Sequence, residues 1–274
     1  MVTRRTRAAS PHTDLIEGPD GPLEVLRVGE GRPHTLFVHG LAGSIGTTRP
    51  YGTRVAGRKA FVHLRGHGRS HVPPGAWGYA ELAAEVWAVA DHPDVLADRA
   101  LGISMGAGAL MRGLASEPHR FDRVVLVLPA ALDQPRDDVA MAALEGLAER
   151  VESGDPEAVA DHLVADQPPA VQEDPALRTW ALGQAEILLA SGVASALRVL
   201  PSQVPLVDRE VLREVTCPVL VLGQEGDATH PAAIAHEVAE LLPDATLHIA
   251  GGGGLMWEER DRTRELVGEF LSAP

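Results

Sequence analysis

The chain is 274 residues long and 45% hydrophobic, with a mean hydropathy of -0.01 and a formal net charge of -14. Such a length suits one α/β domain with an inserted subdomain and a sizeable core, and the composition is that of a globular chain rather than a disordered or membrane-embedded one. The acidic balance argues against nucleic-acid partners and against an anionic membrane surface.

At the N-terminus Arg4, Arg5 and Arg7 carry the charge of a secretory n-region, but His12, Asp14 and Glu17 stand where its apolar stretch should follow. We therefore expect a frayed N-terminal segment and a cytoplasmic protein, with no membrane association, since no stretch reaches the roughly 18 apolar residues of a membrane span. Residues 13–29 alternate loosely around Asp20-Gly21 and predict two short antiparallel strands. Thr35-Leu36-Phe37-Val38 is a continuous apolar strand that runs into His39-Gly40-Leu41-Ala42-Gly43-Ser44. Ala60 to Leu64 repeats the arrangement and ends in Arg65-Gly66-His67-Gly68-Arg69-Ser70. Buried parallel strands that end in glycine loops deliver backbone to a site in this way.

A helix is predicted over 79–92, with Leu82, Val86 and Val89 on one face and Pro93 as its stop. Arg99 to Ile103 reads as a strand, Met105 to Ser116 as a helix of small residues, and Val124 to Leu128 as another apolar strand. This alternation predicts a mostly parallel sheet with right-handed crossovers. From Asp133 to Leu212 the rhythm breaks into amphipathic segments, clearest over 139–151, 157–164 and 176–190, with Asp155 and Pro156 marking one helix start. We read 133–212 as a helical cap inserted between core segments 1–132 and 213–274. Pro218 to Gly223 resumes the sheet, a helix fits 231–242, Thr246 to Ala250 forms the last strand, and a helix over 257–271 closes the chain. Cys217, the sole cysteine, excludes an intrachain disulfide and reads as a buried, inert thiol.

Gly102-Ile103-Ser104-Met105-Gly106 joins the third apolar strand to its helix. Taken alone, the pentapeptide fits a glycine-rich turn as well as a nucleophile turn. A serine on a sharp strand-to-helix turn has strained backbone, and a side chain on either flanking glycine would strike neighbouring chain. Together with the His39–Gly43 loop, the Arg65–Ser70 turn and the loop from Gly223 to Asp227, in that order, the chain resembles the α/β-hydrolase superfamily, in its branch of small capped esterases, haloperoxidase-like enzymes and carbon–carbon hydrolases.

The resemblance implies an α/β-hydrolase fold with flanking helices, and serine-dependent hydrolysis of a small, fairly apolar ester or related acyl substrate. Ser104 would attack the carbonyl, the backbone N–H groups of Leu41 and Met105 would hold the oxyanion, and Asp227 would orient a histidine. Asp133 and Glu225 are weaker alternatives for the acid. No organic cofactor is expected, because no phosphate-cradling G-x-x-x-x-G-K-[ST] loop occurs, and the scattered histidines suggest no metal. The expected partner is a small-molecule substrate or ligand; the oligomeric state is left open.

One departure stands against this scheme. The superfamily carries its catalytic histidine in a glycine-rich loop after the last strand, and here that position falls on Gly254 of Gly251-Gly252-Gly253-Gly254-Leu255-Met256-Trp257. No histidine follows His248. An unassisted serine hydroxyl is a weak nucleophile, so hydrolysis is expected to be impaired. Three accounts fit: a parent histidine replaced at 254, which the otherwise intact site favours; a natural relative that binds a ligand or does other chemistry, such as a receptor or lyase; or another base, a water or a histidine such as His230, which precedes Pro231, or His248 in the last strand. His39 and His67 read as scaffold and His162 as part of a solvated helix face, while His63 stands where members of the superfamily often carry an acidic residue at the strand end. Trp180 and Met256 read as core packing.

Overall fold

Short runs rich in Val, Leu and Phe, apolar at successive positions, form strands when both faces of a sheet are covered, because every side chain then has a buried neighbour. The computed structural model describes residues 12–73 and 77–274. The N-terminal arginines, and with them the expected frayed segment, lie outside these residues. Eight strands form one sheet in the order β1-β2-β4-β3-β5-β6-β7-β8. They are β1 (Asp14–Glu17), β2 (Pro22–Val28), β3 (His34–Val38), β4 (Arg58–His63), β5 (Arg99–Ile103), β6 (Arg123–Val127), β7 (Val219–Gln224) and β8 (Ala245–Ala250). β1 and β2 form the expected antiparallel pair, β2 runs antiparallel to β4, and from β4 to β8 every pairing is parallel. This is the mostly parallel sheet anticipated from the alternation of strands and helices, and the α/β-hydrolase fold that the resemblance implies.

Alternate residues of each central strand face opposite cores. Leu36, Ala60, Ala100, Val124 and Val219 pack on one side with α2 (Tyr79–Asp91) and α3 (Met105–Leu114). Phe37, Phe61, Leu101, Val125 and Leu220 pack on the other with α9 (Arg260–Ser272). Phe37 and Phe61, paired in register across β3 and β4, stack with ring centroids 4.6 Å apart. Burial of each such side chain stabilises the fold by roughly 2 kcal/mol.

Two short elements escape the sequence reading. α1 (Ile45–Thr48) follows the glycine loop, started by a Ser44–Thr47 capping box. Gly254–Glu258, where the sequence predicts a loop through Gly254 and a helix from Trp257, winds into one π-turn with Glu258 N–H donating to the Gly253 carbonyl and Glu259 N–H to that of Gly254.

Between β6 and β7 the described chain contains helices and no strand: α4 (Asp138–Ser153), α5 (Pro156–Ala165), α6 (Pro175–Leu189) and α7 (Ala194–Val199). Asp155 caps α5 as its sequence suggests, accepting from the N–H groups of Glu157 and Ala158, with Pro156 as the first helical residue. α7 was not anticipated, being too short to show a helical period. These helices build an apolar cluster of their own around Leu147, Val159, Ala181, Ala185 and Leu197, and Leu41 and Ala42 of the loop after β3 pack against it. Trp77, on the segment preceding α2, joins the same cluster. α8 (Ala232–Leu241) then packs on β7 and β8. Among the described residues no single helix is long and apolar enough to cross a membrane.

Candidate active site

In an open parallel sheet the loops at the carboxyl ends of the strands converge, so chemistry gathers there. Ser104 follows β5 at that end. Its backbone stands at φ 50, ψ -106, a conformation a non-glycine residue avoids at a cost of about 1–3 kcal/mol. Hydrogen bonds from Ser104 N–H to the Val127 carbonyl (2.8 Å) and from Gly108 N–H to the Ser104 carbonyl (2.9 Å) hold it there. The flanking glycines are required by contact. A Cβ on Gly102 would lie 2.4 Å from the Gly106 carbonyl oxygen, and one on Gly106 would lie 2.6 Å from that of Val38. The strained turn read from the pentapeptide is present.

The loop after β3 rises beside it. A Cβ on Gly40 would sit 3.3 Å from Ser104 Cβ. His39 fixes the base of this loop. Leu64 N–H donates to His39 Nε2 (3.1 Å), so the ring proton is on Nδ1, which donates to the Gly40 carbonyl (2.7 Å). Burial, reinforced by His67 and His63, holds the His39 imidazole well below its usual pKa, and it stays neutral. Among the described residues neither Leu41 N–H nor Met105 N–H has an internal acceptor. Met105 N–H also opens α3, where the helix dipole favours negative charge.

The Arg65–Ser70 turn is a structural knot outside the reacting group. Arg65 is 2% exposed and donates from Nε to Glu85 (2.8 Å) and from a terminal nitrogen to Asp20 (2.6 Å). Ser70 Oγ donates to the His63 carbonyl while accepting from Glu24 N–H, and His63 Nδ1 pairs with Glu24 at 2.8 Å. His67 and His39 therefore serve as scaffold, as expected, and His63 joins them. Burial lowers the His67 imidazole to about 4.

The base is where the sequence reading and the structure part. Gly254 is expected to leave Ser104 without an imidazole; instead, His230 Nε2 lies 2.8 Å from Ser104 Oγ. His230 Nδ1 lies 3.1 Å from both oxygens of Asp227, three residues earlier in the same loop. A carboxylate can only accept, so the proton sits on Nδ1 and the Nε2 lone pair faces the serine hydroxyl. Asp227 and His230 side chains are 9% and 20% exposed.

The loop is wound around the carboxylate. Asp227 Oδ1 accepts from the backbone N–H groups of Thr229 (3.1 Å) and His230 (2.9 Å) and from Thr229 Oγ1 (3.0 Å). Burial acts to raise the Asp227 carboxyl, but attraction to His230 and these hydrogen bonds outweigh it and hold the group below the usual carboxylate range. An ionised acid, an oriented imidazole and a strained serine thus form one hydrogen-bonded line.

The other candidates fall elsewhere. Gly254 is buried at φ 77, and a Cβ there would meet Gln224 Oε1 at 2.9 Å and Pro168 Cγ at 3.3 Å. Leu255 N–H donates to that same Gln224 oxygen, closing the space over the π-turn. His248 pairs with Glu259 through Nε2 at 2.8 Å and makes no approach to Ser104. Asp133 is tied to Arg209, and Glu225 is exposed. Trp180 packs edge-on against Trp257 beside the insert's cluster, and Met256 packs on the α9 side of the core, as read. The roles of Thr229, which braces Asp227, and of Gln224, which fills the glycine loop, were not anticipated. The Asp-x-x-His spacing carried a usable signal, since an aspartate that caps its own turn brings the i+3 residue back over its carboxylate.

A cleft of about 440 Å3 lined by Arg49, Lys59, Phe61 and Arg264 lies toward the N-terminal end of β4, away from Ser104. Among the described residues no group of three or more His, Cys, Asp or Glu is arranged to hold a metal ion.

Residues 35–267 match the sequence model of the alpha/beta hydrolase family. A curated relative, the AB hydrolase superfamily protein YisY of Bacillus subtilis, is 26% identical over 273 residues, spanning 92% of this chain and 96% of that protein. Among solved structures, an esterase from Thermogutta terrifontis superposes with a TM-score of 0.77 at 20% identity, covering 95% of this chain and 98% of its own. Carboxylesterase CesB of Bacillus subtilis gives 0.76 at 19% identity, covering 97% and 93%. At these identities the structural likeness concerns the fold.

Proposed function

The chain belongs to the alpha/beta hydrolase family, and from that premise we propose that it is a serine hydrolase of small, fairly apolar carboxylic esters, with Ser104 as nucleophile, His230 as base and Asp227 as the group that orients it. The hydrogen-bonded line Ser104–His230–Asp227 carries this reading, because it supplies each role a serine nucleophile needs within bonding distance.

In the first half-reaction Ser104 Oγ bonds to the ester carbonyl carbon as its proton passes to His230 Nε2. The carbonyl oxygen becomes an oxyanion held by the N–H groups of Met105 and Leu41. The imidazolium, stabilised by Asp227, returns its proton to the departing alcohol as the C–O bond breaks. Water then enters, its oxygen bonds to the acyl carbon as His230 Nε2 takes one of its protons, and the acyl–serine bond breaks as that proton passes to Ser104 Oγ and the acid leaves. Partly buried apolar side chains of the insert, among them Leu163, Val164 and Trp180, together with Leu41 and Ala42, support an apolar acyl or alcohol group, and we regard 133–212 as a cap over this site.

The test is covalent labelling with a fluorophosphonate together with hydrolysis of short p-nitrophenyl esters. We expect a single adduct on Ser104 and turnover that Ser104→Ala reduces by on the order of 10⁵–10⁶. A protein that neither labels nor turns over would instead support a ligand-binding role.

A further inference from the structure

The loop that carries Leu41 is fastened at both ends to one point, the C-terminal end of β4. At its start Leu64 N–H donates to His39 Nε2 (3.1 Å). At its far end Ile45 N–H donates to His63 Nε2 (2.8 Å). His63 is the last residue of β4 and Leu64 follows it, so the two bonds close a ring around residues 39–45. Inside that ring the Gly40 carbonyl accepts from Gly43 N–H (2.9 Å) and from His39 Nδ1 (2.7 Å).

This backbone needs to be held. Ala42, next to Leu41, stands at φ 62, in the left-handed region that a residue with a Cβ enters only at an energetic cost. α1 is a single turn of four residues, too short to be stable alone, and Ile45 N–H is one of its first-turn donors without an intrahelical acceptor. The Ser44–Thr47 capping box satisfies the N–H groups of Ser44 and Thr47 and leaves that of Ile45 to His63. On its outer side the loop meets the insert through packing of Leu41 and Ala42 and a 3.4 Å hydrogen bond from Gln184 Nε2 to the Ala42 carbonyl.

The acceptor is itself oriented. His63 Nδ1 pairs with Glu24 Oε2 at 2.8 Å, and both side chains are largely buried. Glu24 also accepts from the N–H and Nε of Arg69 and from Thr13 Oγ1. Burial acts to raise the Glu24 carboxyl, but these hydrogen bonds outweigh it and lower it to about 2. An ionised carboxylate can only accept, so the His63 proton sits on Nδ1 and the Nε2 lone pair is left for Ile45. Burial also holds the His63 imidazole below its usual pKa, which keeps it neutral. The carboxylate–imidazole pairing that serves Ser104 thus recurs here, with a backbone N–H in place of the hydroxyl.

We propose that His63 is a positioning residue for the oxyanion hole: its Nε2, aligned by Glu24, pins Ile45 and so fixes the Leu41 N–H where negative charge develops beside Ser104. The inference rests on the ester-hydrolase reading above. Gly40 sets the loop against the nucleophile, since a Cβ there would sit 3.3 Å from Ser104 Cβ. With Ile45 released, the loop keeps its anchor at His39 and loses the second one, and the Leu41 N–H turns away as Ala42 relaxes. Donors to an oxyanion act by being in place before the charge forms, so such a loosening falls on the chemical step rather than on substrate binding.

The experiment uses the full chain and two p-nitrophenyl esters of one short acid, the ordinary ester and its thiono analogue with C=S in place of C=O. Sulfur is a poorer hydrogen-bond acceptor than oxygen, so the thiono ester draws less on the hole while using the same serine and base. His63→Leu should lower kcat for the ordinary ester about tenfold, with KM within about twofold, and kcat for the thiono ester by about twofold at most. The ratio of the two rates then falls about fivefold or more. His63→Gln, whose amide oxygen can stand where Nε2 does, should keep the ratio within about twofold of the wild type. Ile45→Pro removes the donor instead, and should shift the ratio as His63→Leu does, because proline fits the first position of a helix. The double variant should lose about as much as either single one, the two changes breaking one bond. Thermal unfolding checks that each variant is folded, and Ile45→Pro carries the test where His63→Leu does not fold. A ratio unchanged in both His63→Leu and Ile45→Pro overturns the positioning role alone. A wild type that hydrolyses neither ester overturns the ester-hydrolase reading, and this inference with it.

Discussion

The loops that follow β7 and β8 begin as neighbours. Their strands pair in parallel from Val219↔Ala245 to Gln224↔Ala250, so the two chains leave the sheet about 5 Å apart. The first loop is built around a carboxylate that collects backbone N–H groups and swings His230 over Ser104. The second is built of glycines, turns at Gly254 with φ 77, and has its interior filled by Gln224 and Pro168. A serine needs an imidazole at a given point in space, and either of two adjacent strand ends lies close enough to deliver one. Here the delivery comes from the β7 side, and the β8 side has closed over.

The largest test of this contrast removes, one at a time, the histidine in the loop after β7 and the one within β8. His230→Ala should lower kcat/KM for a simple ester by on the order of 10⁴–10⁶, and His248→Ala should leave it within about twofold. Equal losses would place both imidazoles in the chemistry.

A sharper version attempts to reopen the β8 side. The double variant His230→Ala, Gly254→His should not recover activity, because a side chain at 254 requires a left-handed backbone and strikes Gln224. Gly254→His alone should lower Tm by roughly 2–6 °C, the effect of about 1–2 kcal/mol of backbone strain in a protein of this size. Recovery of turnover in the double variant would show that the second loop still accommodates a base.

Smaller effects address how each loop is held. Thr229→Ala removes one hydrogen bond to Asp227 and should reduce kcat about fivefold, with KM little changed, as expected for a loss of about 1 kcal/mol in positioning. A fall confined to KM would mean that Thr229 meets substrate instead.

The smallest is a pH effect at Asp166, the C-cap of α5, whose carboxyl is raised by burial and by repulsion from Asp227. Its folded carboxyl keeps its proton up to about 6, whereas an unfolded aspartate loses it near 3.8. The stability it contributes is therefore fully present below the unfolded value and is lost as pH rises through about 6. Asp166→Asn should unfold at a higher temperature than the wild type at pH 8 and at the same temperature at pH 4, as thermal unfolding followed by circular dichroism would show. A variant less stable at pH 8 would mean that the carboxylate has a favourable partner.

Much of the fold follows from local pattern. Continuous apolar runs ending in glycine loops mark the parallel strands, Asp155-Pro156 marks the start of α5, and the pentapeptide around Ser104 marks a turn whose glycines are needed by contacts of under 3 Å. Asp227 was legible through the resemblance, because the loop from Gly223 to Asp227 follows an apolar strand at the place where the superfamily carries its acid. The identity of the base was not. A pattern assigns the histidine by position along the chain, whereas a base is selected by its distance from Oγ. The substitution of loop for loop leaves the distance intact and the pattern broken. α7 and the π-turn escaped for a related reason, since segments of five or six residues are too short to show a period and take their form from what packs on them.

By itself the sequence determined the order of strands and helices, the strained serine and its flanking glycines, the acid, and the helical interruption. Each of these rests on backbone propensities and apolar spacing that act over a few residues. Only the tertiary structure decided that His230 meets Ser104 and that Gln224 and Pro168 fill the place of the absent side chain at Gly254. These contacts join residues as far as 126 positions apart, and they exist because the ends of β5, β7 and β8 converge on one edge of the sheet.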